Sequence, residues 1–445
     1  MAFTTMEDHT PKPVTGFPVE NPTSSYWQTP PLPISNQRTT PELPLSTEYC
    51  IVGSGITGAL IAYQLLVANP SAQILMLEAR TASSGATGRN GGHCRAGRYL
   101  SFADDVAKDG VDEALKLEEL ENANVYNVAQ LISKLDIPCD LKEVETVDAF
   151  MDPVQWEAAL ACLKARDDIR ANSVISPDQV KSANGPMAQE YKVWHAKEAR
   201  EKLMFPNVVG AIAYRAYTLS PYKFVCWLLE WNVKQGMNLQ TNTLVTSVEP
   251  SQISSSTSTS VSPQWKVQTA RGTVQARHVI LATNAYTGAL CPPLSRFIIP
   301  TRGQIAVVRP GSKISDSSVL RRSCAIADVT ASPYYHCRAP GLSGEGDIVV
   351  GGGRTIAPGR EQPIFDDSTI HLLVSKYLST QLATYFGADV WGDDSPQHVV
   401  QQWTGIMGYT RDAKPIVGQA PGKEGLWICA GFHGHGKLES APKLI

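Results

Sequence analysis

No stretch of this 445-residue sequence reaches the run of about eighteen apolar residues that a membrane-spanning helix needs, so no such span is expected. An excess of one charge is missing as well: 39 Lys and Arg stand against 42 Asp and Glu, a formal net charge of −3 at pH 7. No Lys/Arg run is long enough to make a nucleic-acid-binding face or one for an anionic membrane. The nine cysteines include no C-x-x-C pair and no framework spacing. That argues against a disulfide scaffold, and the expectation is reduced, mostly buried thiols in a cytoplasmic setting. No metal site is called for. The N-terminus has Glu7-Asp8 and several prolines but no basic region leading into an apolar run, so no secretory leader is expected.

What is present is enough apolar sequence, 43%, for a sizeable core, over a length that favours two domains. Residues 1–45 are rich in Pro, Ser and Thr and read as an extended arm, with Tyr26-Trp27 as the pair able to pin it to the body. A strand at Glu48–Val52, a glycine turn, a helix from about Ile56 to Val67, a break at Asn69-Pro70-Ser71 and a strand at Gln73–Glu78 together spell a βαβ unit. Helical spacing recurs at 104–135, 154–167, 221–236 and 368–385. Strands are expected at 239–248, 265–269, 272–276, 278–283, 399–404 and 426–430, with short strands between 298 and 353 and an exposed Ser/Thr loop at 251–263.

The turn Gly53-Ser54-Gly55-Ile56-Thr57-Gly58 matches G-x-G-x-x-G in the right setting: a strand before it, a helix after it, and Glu78 closing the next strand about twenty residues on. Gly53 permits the tight turn, Gly55 lets a pyrophosphate approach the backbone, and Gly58 allows close helix–strand packing. The helix N-terminus, with Ile56 and Thr57, offers free N–H groups and a positive dipole to phosphates. The Glu78 carboxylate suits the two ribose hydroxyls and repels a 2′-phosphate. This motif alone does not separate FAD from NAD.

Three further segments resemble the D-amino-acid-oxidase superfamily of FAD-dependent oxidoreductases, of glycine/sarcosine oxidase and γ-glutamylputrescine oxidase type. The first is Gly85-Ala86-Thr87-Gly88-Arg89-Asn90-Gly91-Gly92-His93; the second, His278–Tyr286, contains Ala282-Thr283-Asn284; the third is Gly431-Phe432-His433-Gly434-His435-Gly436. The resemblance implies an α/β fold, a Rossmann-like FAD-binding domain with a second, mainly antiparallel-sheet substrate domain. It places the FAD domain at 46–105, 215–290 and 400–445, and the substrate domain at 106–214 and 291–399. Beside the glycine motif it implies cofactor contacts from Glu78, Ala79, Arg80, Thr87, Arg89, Asn90, Gly91 and Gly92. Later in the chain it adds Val245, Ala282, Thr283, Asn284, Gly405, Gly431, Gly434, His435 and Gly436.

The implied reaction is oxidation of a C–N bond in a small amine or amino acid, with hydride passing to flavin N5 and O2 or another acceptor taking the electrons. His93, Arg95, Tyr335 and His435 are the expected catalytic residues; Tyr334, His336, Trp403, Tyr409 and His433 are also weighed. Two departures stand out. Met407 and Arg89 occupy the places of the Cys and His that tether flavin in several relatives, so non-covalent FAD is expected, with Cys94 a remaining alternative. Relatives also continue past the last glycine turn into a helix, whereas Lys437–Ile445 include Pro442, and a lowered flavin potential and impaired turnover follow as expectations. Val349 stands where sarcosine oxidases carry an oxygen-activating Lys, which keeps a non-oxygen acceptor open.

Overall fold

The computed structural model describes residues 16–172, 189–251, 264–314, 318–328, 334–337, 346–392 and 399–434. His435, Gly436 and the segment 437–445 therefore lie outside the described residues, as does nearly all of the Ser/Thr loop.

Two sheets organise the chain. In the first, five parallel strands run in the order Leu426–Ala430, Gly272–Leu281, Ser46–Val52, Ile74–Leu77 and Asn238–Gln240. Ile416–Gln419 extends one edge antiparallel, and Trp265–Thr269 with Val245–Pro250 forms an antiparallel flap on Gly272–Leu281. Ile74–Leu77 is buried at every position, the pattern of a parallel strand covered on both faces. The helix Ile56–Ala68 covers one face, and the helix Pro221–Lys234 packs on it; Ser220 caps that second helix through the Lys223 amide and Pro221 occupies its first turn. Ser46–Val52 is central, with neighbours reached by connections running to opposite sides, so a crevice opens at its carboxyl end.

The second sheet runs in the order Val399–Thr410, Ile298–Val308, Ile348–Gly351, Tyr334–Cys337, Ser323–Ala327, Lys142–Phe150, Gly210–Thr218 and His93–Cys94. It is antiparallel apart from the pairing of Ser323–Ala327 with Lys142–Phe150, and Lys192–His195 adds to Gly210–Thr218. The sheets divide the chain differently from the boundaries expected above. Val399–Thr410 pairs along its length with Ile298–Val308, which draws it into the second sheet, and His93–Cys94 and Gly210–Thr218 belong there too. Among the described residues the chain thus crosses between the sheets four times: between 77 and 93, between 218 and 238, between 281 and 298, and after 410.

Several elements differ from the periodicity reading. The expected strand at 239–248 breaks where Asn242 takes a φ of 49°, and the helix expected at 368–385 divides into Leu372–Leu378 and Gln381–Phe386. The two strands expected at 272–283 are one, Gly272–Leu281. The arm is not loose: from residue 16 onward it is a strap bound to the body. Trp27 is 6% exposed and its indole N–H donates to the Asn90 carbonyl at 2.6 Å, while the Ser25 hydroxyl donates to the Gly88 carbonyl at 2.6 Å. Among the described residues, no helix is long and apolar enough to cross a membrane.

Candidate cofactor and substrate site

Strand Ser46–Val52 ends in Gly53, whose φ of +109° lies where only glycine is comfortable. Gly58 sits under that turn so closely that a Cβ there would lie 2.0 Å from the Gly53 carbonyl oxygen. Gly55 is more open: a Cβ would meet the Thr87 hydroxyl at 3.1 Å. That hydroxyl accepts from the Ile56 amide at 2.9 Å, so the first expected segment is fastened to the helix N-terminus.

Glu78 stands at the end of the neighbouring strand. Its Oε2 accepts from the Ser54 amide at 3.0 Å and the Ser54 hydroxyl at 2.7 Å, and its Oε1 from the Arg80 amide at 2.9 Å. Three donors are therefore in place on a group with about four acceptor positions.

Arg80 and Arg89 converge on Asp367, which is 1% exposed. Arg80 donates to both its oxygens, at 2.9 and 3.1 Å, and Arg89 Nε lies 3.5 Å from it. Arg89 also donates to the carbonyls of Ser84 at 2.7 Å and Thr404 at 2.8 Å. Burial pulls the Arg89 guanidinium down to about 10, with Asp367 opposing and Arg80 reinforcing that fall. For Arg80, burial works against the charge, but Asp367 outweighs it and holds the group above its ordinary value. Asp367 carries no motif that would have marked it in the sequence.

Asn284, in the left-handed region at φ +45°, accepts through Oδ1 from the amides of Gly431 at 3.0 Å and Phe432 at 3.4 Å. This joins two segments about 150 residues apart at the carboxyl ends of adjacent strands. The His433 ring is held by the Thr410 backbone, whose amide lies 2.8 Å from Nε2.

These segments enclose one cavity of about 540 Å³, within the range of small-molecule sites. Of the expected cofactor residues, Gly53, Gly55, Ile56, Thr57, Glu78, Ala79 and Arg80 line it, as do Thr87, Arg89, Asn90 and Gly91. Val245, Ala282, Thr283, Asn284, Gly405 and Gly434 line it as well. Gly58, Gly92 and Gly431 sit behind the wall: Gly58 in the helix–strand contact, Gly92 donating to Asn90 Oδ1 at 2.8 Å, Gly431 donating to Asn284. Glu78 is the one carboxylate lining the cavity among the described residues.

The opposite end of the cavity belongs to the second sheet: His93, Arg95, Tyr334, Arg354, Met407 and Tyr409. Here the expectation for Tyr335 is corrected. Successive residues of a strand face opposite ways, and Tyr335 is buried in the second core with Phe205 and Phe386, while Tyr334 faces the cavity against Gly91 and Gly351. Burial pushes the Tyr334 phenol above its ordinary pKa. Arg95 reaches the cavity but spends its charge on Asp148, 2.5 Å away, whose other oxygen accepts from Tyr99 at 2.8 Å and Tyr214 at 3.0 Å. Burial disfavours the Arg95 cation, yet Asp148 outweighs it and raises the pKa. Cys94, 1% exposed, does not line the cavity; Met407 and Arg89 do. Arg354 and Asp148 were missed in the sequence. The run Gly351-Gly352-Gly353 before Arg354 was the available signal for the first.

A dinucleotide motif, a glycine cradle and a second sheet closing over them fit FAD. The profile of a family described as FAD dependent oxidoreductase matches residues 48–441. The chain belongs to the FAD dependent oxidoreductase family. FAD is the cofactor of that family. The chain is 24% identical over 287 residues to "Probable oxidoreductase OrdL" of Haemophilus influenzae, covering 63% of this chain and 60% of the relative. It is 23% identical over 400 residues to gamma-glutamylputrescine oxidoreductase of Escherichia coli, covering 88% and 80%. The chain thus spans less than two thirds of the first relative. Among solved structures, glycine oxidase from Geobacillus kaustophilus superposes with a TM-score of 0.66 at 18% identity, covering 89% of this chain and 92% of that one. L-proline dehydrogenase from P. horikoshii gives 0.63 at 17%, covering 90% and 91%. These two likenesses are of fold.

Proposed function

We propose that this chain oxidises a C–N bond of a small amine or amino acid, using non-covalently held FAD. The observation that carries the reading is that one cavity has the dinucleotide motif at one end and the sheet residues His93, Tyr334, Met407 and Tyr409 at the other. The relatives named for γ-glutamylputrescine, glycine and proline support the substrate class.

In this reading the amides at the start of helix Ile56–Ala68 hold the pyrophosphate, and Glu78 has room for about one further donor, a ribose hydroxyl. Bound FAD supplies the hydride acceptor. Neither Met407 nor Arg89 offers a Cys sulfur or a His nitrogen for a covalent link. The Tyr334 hydroxyl keeps its proton because of burial and serves as a donor toward substrate. With Glu78 at the far end and Arg95 neutralised by Asp148, His93 is the side chain at the substrate end, among the described residues, able to take a proton from the amine, and the others orient it.

Purified protein is expected to be yellow and to release FAD, not FMN, on acid precipitation. An anaerobic screen of amines and amino acids should bleach its visible absorbance with one group of them. A colourless protein, or a flavin that none of them bleaches, overturns the reading.

A further inference from the structure

The match to the FAD dependent oxidoreductase family begins at residue 48, yet two residues well before it, Phe17 and Pro18, line the cavity. The strap that carries them forms a loop whose two ends meet in one place. Near its start, the Val19 carbonyl accepts from Arg80 Nη1 at 3.2 Å. Near its finish, Arg38 donates to the carbonyls of Thr241 and Asn242, each at 3.2 Å, and the Thr241 amide donates to the Gln37 carbonyl at 3.1 Å. Arg80 and Asn242 are themselves paired, the Asn242 amide donating to the Arg80 carbonyl at 2.8 Å. The next amide, that of Thr243, donates to the Glu78 carbonyl at 2.7 Å. Both ends of the strap therefore fasten beside Glu78, at the carboxyl ends of Ile74–Leu77 and Asn238–Gln240.

Phe17 is held there by its neighbours. A Cβ on Gly16 would lie 2.4 Å from the Phe365 ring, so only glycine lets the strap come this close. The Phe365 carbonyl accepts from the hydroxyl of the cavity-lining Tyr286 at 3.3 Å, and the Thr23 amide donates to the Asp367 carbonyl at 2.8 Å. Phe17 and Pro18 are half-buried and share this end of the cavity with Ala79, Leu244 and Val245. Arg80, the cation beside them, is matched to Asp367. Apolar walls next to a carboxylate suited to a ribose favour a flat, uncharged base over a phosphate, and an aromatic ring is a good face for such a base.

We propose that the strap completes the adenosine compartment of the cofactor site, with Phe17, together with Pro18, as a wall for the adenine base. The dinucleotide is then gripped partly by a segment that lies outside the dinucleotide fold and outside the family match. Phe17 has no part in the redox chemistry, which belongs to the other end of the cavity.

ADP carries the adenosine half of FAD without the flavin, and it is the probe. It is titrated by calorimetry into the full chain from which FAD has been removed, and FAD is titrated in parallel. Phe17→Ala should weaken both ligands by about 5- to 100-fold and leave the melting temperature of the apoprotein unchanged. Phe17→Trp keeps an aromatic face and should stay close to wild type. Unchanged ADP affinity in Phe17→Ala overturns the proposal, as does wild-type apoprotein that takes up FAD but not ADP. A loss that Phe17→Trp shares in full overturns it too. So does a loss matched by a fall in apoprotein melting temperature, since the ring would then support the fold and not the ligand.

Discussion

Glu78 and Ser54 are joined twice, the Ser54 amide at 3.0 Å and its hydroxyl at 2.7 Å both donating to Glu78 Oε2. The same hydroxyl accepts from the Ser83 amide at 2.9 Å, so one carboxylate ties the glycine turn to the start of the next cofactor segment. On the proposed reading, Glu78→Ala removes the ribose acceptor and loosens the turn together. FAD affinity should fall by about 1–3 kcal/mol, measured by flavin fluorescence on reconstituting the apoprotein. Unchanged affinity would leave Glu78 with a purely internal role.

The glycines of the motif should separate cleanly by mutation. Gly55→Ala adds a methyl that meets only the Thr87 hydroxyl, at 3.1 Å, on the cavity wall. The variant should fold and lose FAD on gel filtration. Gly58→Ala drives a methyl to 2.0 Å from the Gly53 carbonyl, where backbone must move, and should be defective in folding by circular dichroism. A Gly55→Ala protein that retains FAD as wild type does would show that the phosphates do not approach there.

Arg95 should behave as a structural cation. Arg95→Met leaves Asp148, 3% exposed, with tyrosine hydroxyls and no counter-charge. A loss of about 3–5 kcal/mol in urea unfolding is expected, largely restored in Arg95→Met/Asp148→Asn. A loss of turnover with stability intact would instead put Arg95 in contact with substrate.

Burial pushes the thiols of Cys50, Cys139, Cys226 and Cys429 up to about 12 from an ordinary 9.0. These thiols stay protonated in the fold but ionise in the unfolded chain once pH passes 9. Their contribution is complete below pH 9 and is lost as pH rises toward 12, on the order of 1 kcal/mol per thiol at pH 10. Urea midpoints in reducing buffer should therefore drop between pH 8 and pH 10, and a flat profile would contradict such burial. In native protein at pH 8, Cys162, which is half-buried, should react with a thiol reagent well before these four.

Much of the cavity lining around the glycine motif was legible because it is local. The turn Gly53–Gly58 and Glu78 sit within one βαβ unit, where spacing maps directly onto geometry. The segments around Ala282 and Gly431 were legible only by resemblance; parallel pairing of their strands explains why they meet. The substrate half was read less well, for a physical reason. Side-chain facing alternates with every residue of a strand, so placing Tyr335 instead of Tyr334 in the cavity is a one-residue error with a full reversal of outcome. Asp148 and Asp367 act through partners distant in sequence, and no local pattern encodes a pairing. The strand Gly210–Thr218, apolar at nearly every position, has no alternation to mark it.

The strap has a consequence for the order in which the molecule is assembled. Thr23 donates to the carbonyl of Asp367 at 3.1 Å and accepts from the Thr404 amide at 3.0 Å, contacts spanning 344 and 381 residues. Phe17 and Pro18, just before it, line the cavity. A segment early in this sequence thus has its docking sites in stretches 344 and 381 residues further along it. Trp27 and Ser25 fasten the strap to the backbone of Asn90 and Gly88, beside the cavity-lining Thr87, Arg89 and Gly91. Cofactor exchange in the finished protein should then be set by how often the strap peels away, and a Trp27→Ala chain should trade FAD with solution faster than wild type at equal occupancy.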